Sequence, residues 1–107
     1  MPREFINDNL TFKVGKDAQD NWDLVDESVE GDIWIHLHDY PSGHVIIENT
    51  RDIQNSDILY GCVLCKENSK YKDKKNIRCS VLDRKYIKKG KSKGEVKLLK
   101  SPIIITV

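Results

Sequence analysis

Three histidines lie close together near the middle of the chain and could bind a metal ion. His36 and His38 form an H-x-H pair, with Asp39 beside them and His44 shortly after. Alternate residues of a β-strand point to the same side, so both rings of such a pair face one way, as several metal sites require. No further carboxylate or cysteine falls at a matching spacing. We therefore expect no metal site, and a metal-assisted hydrolase using these three histidines stays open as an alternative.

Two of the three cysteines have the C-x-x-C spacing that is found in zinc sites and redox motifs. Cys62 and Cys65 lie in an apolar segment that predicts a helix, where residues i and i+3 share one face. Free cysteine is usually buried, so we predict that both thiols belong to the core. Together with Cys79 they cannot all pair internally, which favours a reducing compartment and a cytoplasmic location.

Other catalytic signatures are missing from the sequence. No serine lies in a nucleophile-elbow context, and Gly15-Lys16 alone is too little for a phosphate-binding loop. Carboxylates are numerous, but nothing sets two of them apart as an acid and base pair. The sequence therefore predicts a protein that is not an enzyme and has no cofactor. No apolar run approaches the ~20 residues of a membrane-spanning helix, so we also expect no membrane contact.

Charge is distributed unevenly along the chain. Residues 1–60 carry 13 acidic and 4 basic residues, whereas residues 61–107 carry 14 basic and 4 acidic residues. Lysine and arginine neutralise phosphates through counterion release, and a tyrosine such as Tyr86 can stack on a base. The basic half therefore predicts a polyanion-binding surface, although a solvated lysine-rich loop would have the same composition. The candidate residues are Lys70, Lys72, Lys74, Lys75, Arg84, Lys85, Lys88, Lys89, Lys91 and Lys93.

Hydrophobic periodicity predicts the elements that position these residues in the first half of the chain. Ile33, Ile35 and Leu37 alternate with polar or aromatic residues, which predicts a strand with Trp34 and His36 on the opposite face. A loop of four to five residues then leads to a second strand, His44–Glu48, to form a hairpin. Before the hairpin we expect one or two strands over Phe5–Val14, and a short helix that Asp17 caps, which runs to about Val25 with Ala18, Trp22 and Val25 on one face.

The second half of the chain predicts one long helix and further strands. The helix spans Ser56–Lys70, capped by Asn55 or Ser56, and Gly61 in its middle indicates close approach to a sheet. The remaining predicted elements are a strand at Ile77–Leu82, a basic loop at Arg84–Gly94, and closing strands at Glu95–Leu99 and Ile103–Val107. With no repeat and no linker, the sequence predicts a single α+β domain over residues 1–107, a mainly antiparallel sheet with one long and one short helix.

The order of motifs resembles that of the NFACT-R domain family. That family has a G-K/R-x-A-x-x-N segment, then D-I-W-x-H, then a turn of the P-G-S-H-V type. The matching segments are GKDAQDN at 15–21, DIWIH at 32–36 and PSGHV at 41–45. Weaker matches follow at 86–90 (YIKKG) and 94–96 (GEV), so that the resemblance runs from about residue 5 to residue 107. The glycine of the turn has moved by one position, so we expect this turn to be built differently.

The resemblance implies an RNA-binding module that is not a classical enzyme. It is commonly the C-terminal part of larger proteins that recognise obstructed large ribosomal subunits and bind tRNA there in ribosome quality control. It also occurs as a shorter free-standing form, which this chain resembles. The implied partners are tRNA or ribosomal RNA, with possible ribosome association. An adaptor whose acidic half docks a basic protein partner, without nucleic acid contact, stays open as the alternative.

The motif residues receive specific expected roles. Trp34, His36 and His44 form a surface that stacks on and hydrogen-bonds an exposed base or sugar, while lysines including Lys16 hold the phosphates. Asp32 hydrogen-bonds a histidine ring or caps local backbone amides. The competing interpretation is a Trp–His–Asp cluster that only fixes the hairpin. Structural roles are expected for Gly15, Asn21, Asp32, Pro41, Gly43 and Gly94.

Overall fold

The computed structural model describes residues 2–107 and has an α+β architecture, as predicted. Its two helices, α1 and α2, cover Ala18–Glu27 and Asn55–Glu67, and a 3-10 turn covers Arg84–Tyr86. Its strands are β1 Arg3–Asn7, β2 Leu10–Val14, β3 Ile33–Leu37, β4 Val45–Ile47, β5 Arg78–Asp83, β6 Ile87–Lys89, β7 Val96–Leu98 and β8 Ile103–Thr106. Within these described residues, neither helix is long and apolar enough to cross a membrane.

Six strands form one antiparallel sheet in the order β1-β2-β4-β3-β5-β8. The predicted hairpin is its centre, because Ile33 lies opposite Ile47 and Ile35 opposite Val45. The connection between the two strands runs from residue 38 to residue 44 and is longer than predicted, since β4 begins at Val45 and not at His44. This long connection gives the hairpin end room for its own contacts with other parts of the chain.

Helix α2 packs on one face of the sheet and closes the larger core. Cys62 and Cys65 are buried there against Ile35 and Ile47, which confirms the prediction of core thiols. The predicted close approach at Gly61 is also confirmed, since a Cβ there would lie 2.7 Å from Ile35 Cδ1. The helix ends differ from the prediction.

The ends of α2 follow from its capping residues. Gln54 is the N-cap and forms a capping box with Asp57, in place of the predicted Asn55 or Ser56. The helix stops at Glu67, three residues before the predicted end, because the Asn68 side chain and backbone both donate to Leu64 O. Residues 68–71 are thereby freed from the helix to form a separate segment.

The other face of the sheet carries a second core under α1. Trp34, Ile46 and Leu82 of the sheet pack with Leu24 and Val25 of this helix. Asp17 caps α1 as predicted, since its carboxylate accepts from the Asp20 N–H at 2.8 Å. Leu24 and Val25 are buried in this core. Of the three residues predicted to share one face of the helix, Val25 is buried, Trp22 is half-buried and Ala18 is exposed.

The segment predicted as a basic loop is mostly ordered. Residues 84–86 form the 3-10 turn, and β6 pairs with β7 in a two-stranded sheet with Ile87 opposite Leu98. The loop prediction was wrong because Ile87 is buried in the second core, which fixes the segment against α1. Residues 87–98, which form β6, β7 and the turn between them, are called the basic hairpin below. The Trp22 Nε1–H of α1 donates to Glu95 O of this hairpin at 2.9 Å, which holds the two elements together.

Candidate functional site

A cleft of about 500 Å³ opens where four separate segments meet. The segments are the start of α1, the β3–β4 connection, the stretch after α2 and the turn of the basic hairpin. Eight of the residues singled out in the sequence line it. They are Lys16, Asn21, His36, Pro41, Gly43, Lys70, Lys93 and Gly94.

One wall of the cleft depends on two glycines whose backbones nearly touch. The Gly15 N–H donates to His44 O at 2.9 Å, and a Cβ on Gly43 would overlap Gly15 O. Beside this contact, Asn21 Oδ1 accepts from the His44 N–H at 2.8 Å, and a Cβ on Gly15 would overlap that amide oxygen. Gly15, Asn21 and Gly43 thus lie in direct contact with one another or with the His44 backbone, and a side chain larger than glycine does not fit at residue 15 or 43.

A second contact joins the start of α1 to the basic hairpin. Gly94 has φ +85°, and a Cβ there would lie 2.9 Å from Ala18 Cα. This contact requires a glycine at residue 94 and a small residue at position 18. Because Lys16 and Lys93 are near neighbours of this contact in sequence, their exposed side chains are brought to the same cleft.

His36 presents a hydrogen-bond acceptor at the cleft. Its Nδ1 lies 2.6 Å from Leu37 O, and since a carbonyl only accepts, Nδ1 carries the hydrogen. Burial lowers the pKa of His36, so the ring is neutral at pH 7 and Nε2 keeps its lone pair. The ring also hydrogen-bonds the backbone of Ser42, so two backbone contacts hold it at the edge of the cleft.

The stacking role expected for Trp34 and His44 does not fit their placement. Each side chain is only 2% exposed, so neither ring offers a face to a base. Trp34 does share a strand face with His36, as predicted, with nearly parallel rings and centroids 5.8 Å apart. That face is covered by α1, so Trp34 serves the core. Asp32 caps local backbone amides, one of its two predicted roles, by accepting from the N–H groups of Val29 and Asn49.

The predicted basic residues differ in what they contact. The Arg84 guanidinium is used inside the protein, donating to Val25 O at 2.7 Å, Ser28 Oγ at 2.9 Å and Ile87 O at 2.8 Å. It therefore ties the end of α1 to the hairpin, and it is not placed for a phosphate contact. Lys89 pairs with Asp26 at 2.9 Å. The other basic candidates are exposed but lie outside the cleft lining. They are Lys72, Lys74, Lys75, Lys85, Lys88 and Lys91.

The family is decided by a comparison of the sequence with protein-family models. The model described as the NFACT protein RNA binding domain matches residues 2–100. The chain belongs to this NFACT-R family. The family is one of RNA-binding domains and not of enzymes. The residues that carry its motifs, at 15–21 and 41–45, are those whose backbones meet at the cleft wall.

The solved structures give the same fold for this NFACT-R domain. One is described as the C-terminal of the fibronectin/fibrinogen-binding protein from Streptococcus suis, with a TM-score of 0.90 at 22% sequence identity. The match covers 99% of this chain and 44% of that chain, so the domain spans less than half of the related structure. No curated protein matches the sequence.

A pair of stacked tyrosines beside the cleft was not found from the sequence. Tyr40 and Tyr71 stack with ring centroids 4.3 Å apart and planes 28° apart, and Tyr71 lines the cleft. Lys74 Nζ lies 5.6 Å from the Tyr40 ring centroid. Neither tyrosine lies in the segments at 15–21, 32–36 and 41–45 that carry the main motif resemblance. Residues 40 and 71 follow different elements, so no local pattern indicates that they meet.

The three histidines of this NFACT-R domain are not arranged to bind a metal ion together. His36 Nδ1 is hydrogen-bonded to Leu37 O, and His38 Nδ1 lies 2.8 Å from Ser80 Oγ. His44 is buried beneath the surface. Over residues 2–107, no group of three or more His, Cys, Asp or Glu side chains is arranged to hold a metal ion.

The buried histidines predict that the NFACT-R domain loses stability in mild acid. Burial, and then the nearby His36, lower the pKa of His44 to about 3, from 6.5. Below about pH 6.5, His44 is therefore protonated in the unfolded chain, whereas in the folded protein it stays neutral down to about pH 3. The free energy of unfolding consequently decreases as the pH falls from 6.5 to 3. From this group alone we expect a loss of about 2 kcal/mol in unfolding free energy between pH 7.5 and pH 5. Urea unfolding at each pH measures it.

The same measurement has an internal control. The variant His44→Gln removes one titrating group, so its unfolding free energy should depend less steeply on pH between 6.5 and 5, whatever its stability at pH 7. The carboxylates whose pKa values are lowered, Asp20, Asp39 and Asp57, act below about pH 4 and do not contribute to this window. A wild-type stability that is flat from pH 7 to pH 5 would contradict a neutral, buried His44.

Proposed function

We propose that this NFACT-R domain binds RNA through the cleft, as a non-enzymatic module. The observation that carries the proposal is the convergence of Lys16, Lys70 and Lys93 around one opening. These lysines come from three parts of the chain, and Lys16 and Lys93 are next to the glycines Gly15 and Gly94 whose close contacts hold the cleft together. A shared anionic ligand is the simplest partner for three cations that the fold brings to one place.

The charge state of the cleft supports the proposal. Lys16, Lys70 and Lys93 form no salt bridge with any described residue. Some cations elsewhere on the surface are neutralised, for example Arg78 by Asp39 at 2.7 Å and Arg51 by Asp57 at 2.9 Å. Of the cleft lysines, Lys16 has a carboxylate nearby, since its charge helps to lower the pKa of Asp20. Unpaired ammonium groups can neutralise phosphates directly, and this releases the cations that are condensed on the RNA.

We further propose transfer or ribosomal RNA as the RNA class, in a translation-related and cytoplasmic setting. The family resemblance supports this choice, and the exposed lysines outside the cleft would extend the contact along a larger RNA. Since the domain spans less than half of the related solved structure, the proposal concerns RNA binding alone and not the ribosomal activity of larger proteins. Crosslinking of the protein in its own cell identifies the RNA.

Removal of the three cleft lysines tests the proposal. For Lys16→Gln combined with Lys70→Gln and Lys93→Gln, we expect RNA affinity to fall about tenfold or more near physiological salt. The slope of log affinity against log salt should become less steep by about 2 to 3, since each lost phosphate contact removes about 0.7 to 0.9. Fluorescence anisotropy with labelled RNA over a salt series measures both quantities.

A matched variant separates a local site from general basicity. Lys66→Gln with Lys97→Gln and Lys100→Gln removes the same charge from residues that do not line the cleft. We expect this variant to bind RNA nearly as well as the wild type. Equal losses in both triple variants would reject the cleft as the site. A wild-type protein that binds no RNA would reject the proposed function and favour the adaptor alternative, in which the acidic half docks a basic protein.

A further inference from the structure

We propose that the cleft takes one unpaired nucleotide of RNA, with its base stacked on Tyr71, so that the ligand class is single-stranded RNA in a loop or at a chain end. This inference rests on the proposed function and makes it more specific. It also moves the stacking role from Trp34, which is buried, to a tyrosine that lines the cleft.

The size and shape of the cleft favour a single nucleotide. At about 500 Å³ it falls within the usual range for pockets that enclose a small organic ligand. A base inside a double helix has both faces covered by its neighbours and its edge paired, so it cannot enter a pocket without leaving the helix. Unpaired nucleotides in loops and at ends enter at much lower cost, and sequence-specific RNA recognition usually uses them.

The tyrosine pair supplies a rigid stacking surface. Tyr40 covers Tyr71 with centroids 4.3 Å apart, and both rings are half-buried against the larger core. Of the two, only Tyr71 lines the cleft. A ring that is already held in place loses little conformational freedom when a base stacks on it, and every base has a π face to offer.

The other aromatic candidates are unavailable for stacking. Trp34 is 2% exposed. Tyr86, which the sequence suggested, has Lys85 Nζ and Lys100 Nζ at 5.1 and 5.0 Å from its ring centroid. Trp22 has Lys89 Nζ at 5.1 Å from its ring centroid, and its indole N–H donates to Glu95 O. Tyr71 is therefore the aromatic ring that combines a place in the cleft with a supporting partner behind it.

A polar group for the nucleotide is present in the same cleft. The donors of Ser42, Asn68 and Ser69 are used within the protein, on Gly43 O, Leu64 O and Lys66 O. His36, in contrast, lines the cleft with a neutral imidazole whose hydrogen-bond contacts within the protein are to the backbone of Leu37 and Ser42. It can accept from a base N–H or from the ribose 2′-hydroxyl, while the lysines at the opening bind the flanking phosphates.

Two RNAs of one sequence test the inference. The probes are a labelled, unstructured ten-nucleotide RNA and the blunt duplex that it forms with its complement. The wild-type domain should bind the single strand at least about tenfold more tightly than the duplex. Tyr71→Leu keeps apolar bulk but removes the π face, and it should lower affinity for the single strand by about 5- to 150-fold. Tyr71→Phe should stay close to wild type, and thermal unfolding checks that each variant is folded.

A measurement on the wild-type protein does not depend on variants that fold. Nuclear Overhauser effects between the Tyr71 ring protons and protons of a bound base are expected in the complex. Bound RNA without such contacts, duplex affinity equal to that of the single strand, or a folded Tyr71→Leu with wild-type affinity would each overturn the inference. If RNA binding still depends on the three cleft lysines in those cases, the proposed function stands; if wild-type protein binds neither RNA, both fail.

Discussion

Replacement of Trp34 with alanine is expected to lower the free energy of unfolding by about 3–5 kcal/mol, the usual range for removing a buried aromatic side chain. The indole is 2% exposed and packs with Leu24, Val25, Ile46 and Leu82. These residues belong to α1 and to two strands, so the cavity would open between elements that cannot easily close on it. Urea unfolding at pH 7, followed by circular dichroism, measures the change.

The other tryptophan provides the comparison. Trp22 is half-buried, and Trp22→Ala loses one hydrogen bond to Glu95 O and the contact with Lys89, which together stabilise by about 1–2 kcal/mol. We therefore expect a clearly smaller effect from this variant. A Trp34→Ala protein with wild-type stability but much weaker RNA binding would contradict the core role, and it would restore the stacking role that the sequence suggested.

The two tryptophans also show what alternation in a sequence can and cannot predict. The period of two at Ile33–Leu37 places Trp34 and His36 on one face, and the structure confirms this. Periodicity does not reveal what covers a face. Here the cover is α1 and the basic hairpin, which come from opposite sides of the strand in sequence. These elements bury Trp34 completely, whereas His36, two residues further along the same strand face, lines the cleft.

Composition was a weaker guide in the basic half. The lysines of residues 84–94 suggested a loop, but buried Ile87 and its pairing with Leu98 make an ordered hairpin. Charge alone also could not separate Arg84, whose three guanidinium nitrogens each donate inside the protein, from Lys93 nearby, which lines the cleft. The cleft lysines were among the candidates, yet their grouping depends on the tertiary contact between Gly94 and Ala18, which has no local signature.

Glycines in the family motif carry a different meaning from the one expected. Because its glycine has moved by one position, the turn Pro41-Ser42-Gly43 was expected to be built differently from a turn that needs a glycine with positive φ. The glycines with positive φ are Gly31 and Gly94, so Gly43 is not needed for its backbone angle. It is needed because the backbone of Gly15 passes directly over it. Residue 43 must therefore be a glycine because of its contact with Gly15. The two residues are far apart in the sequence, so neither segment alone indicates this contact.

This close approach predicts that Gly43→Ala both destabilises the domain and damages the cleft. The new methyl group would overlap Gly15 O, a backbone atom that cannot move without carrying its chain with it. Separation of the two segments would weaken the Gly15 N–H to His44 O bond of 2.9 Å and displace the cleft wall. We expect a loss of about 2–4 kcal/mol in unfolding free energy from overpacking and the weakened hydrogen bond. RNA affinity of the remaining folded protein should fall with it, measured by the same anisotropy assay.

Gly90→Ala is the matched control, because it adds the same methyl group at another crowded glycine. Its Cβ would meet the exposed side chain of Glu95, which can rotate away, and Gly90 has no positive φ. We expect a change below about 1 kcal/mol and unaltered RNA binding, since Gly90 does not line the cleft. Equal stability losses in the two variants would mean that the Gly15–Gly43 contact is not a tight one. A stable Gly43→Ala that lost RNA binding would place Gly43 in contact with the RNA itself.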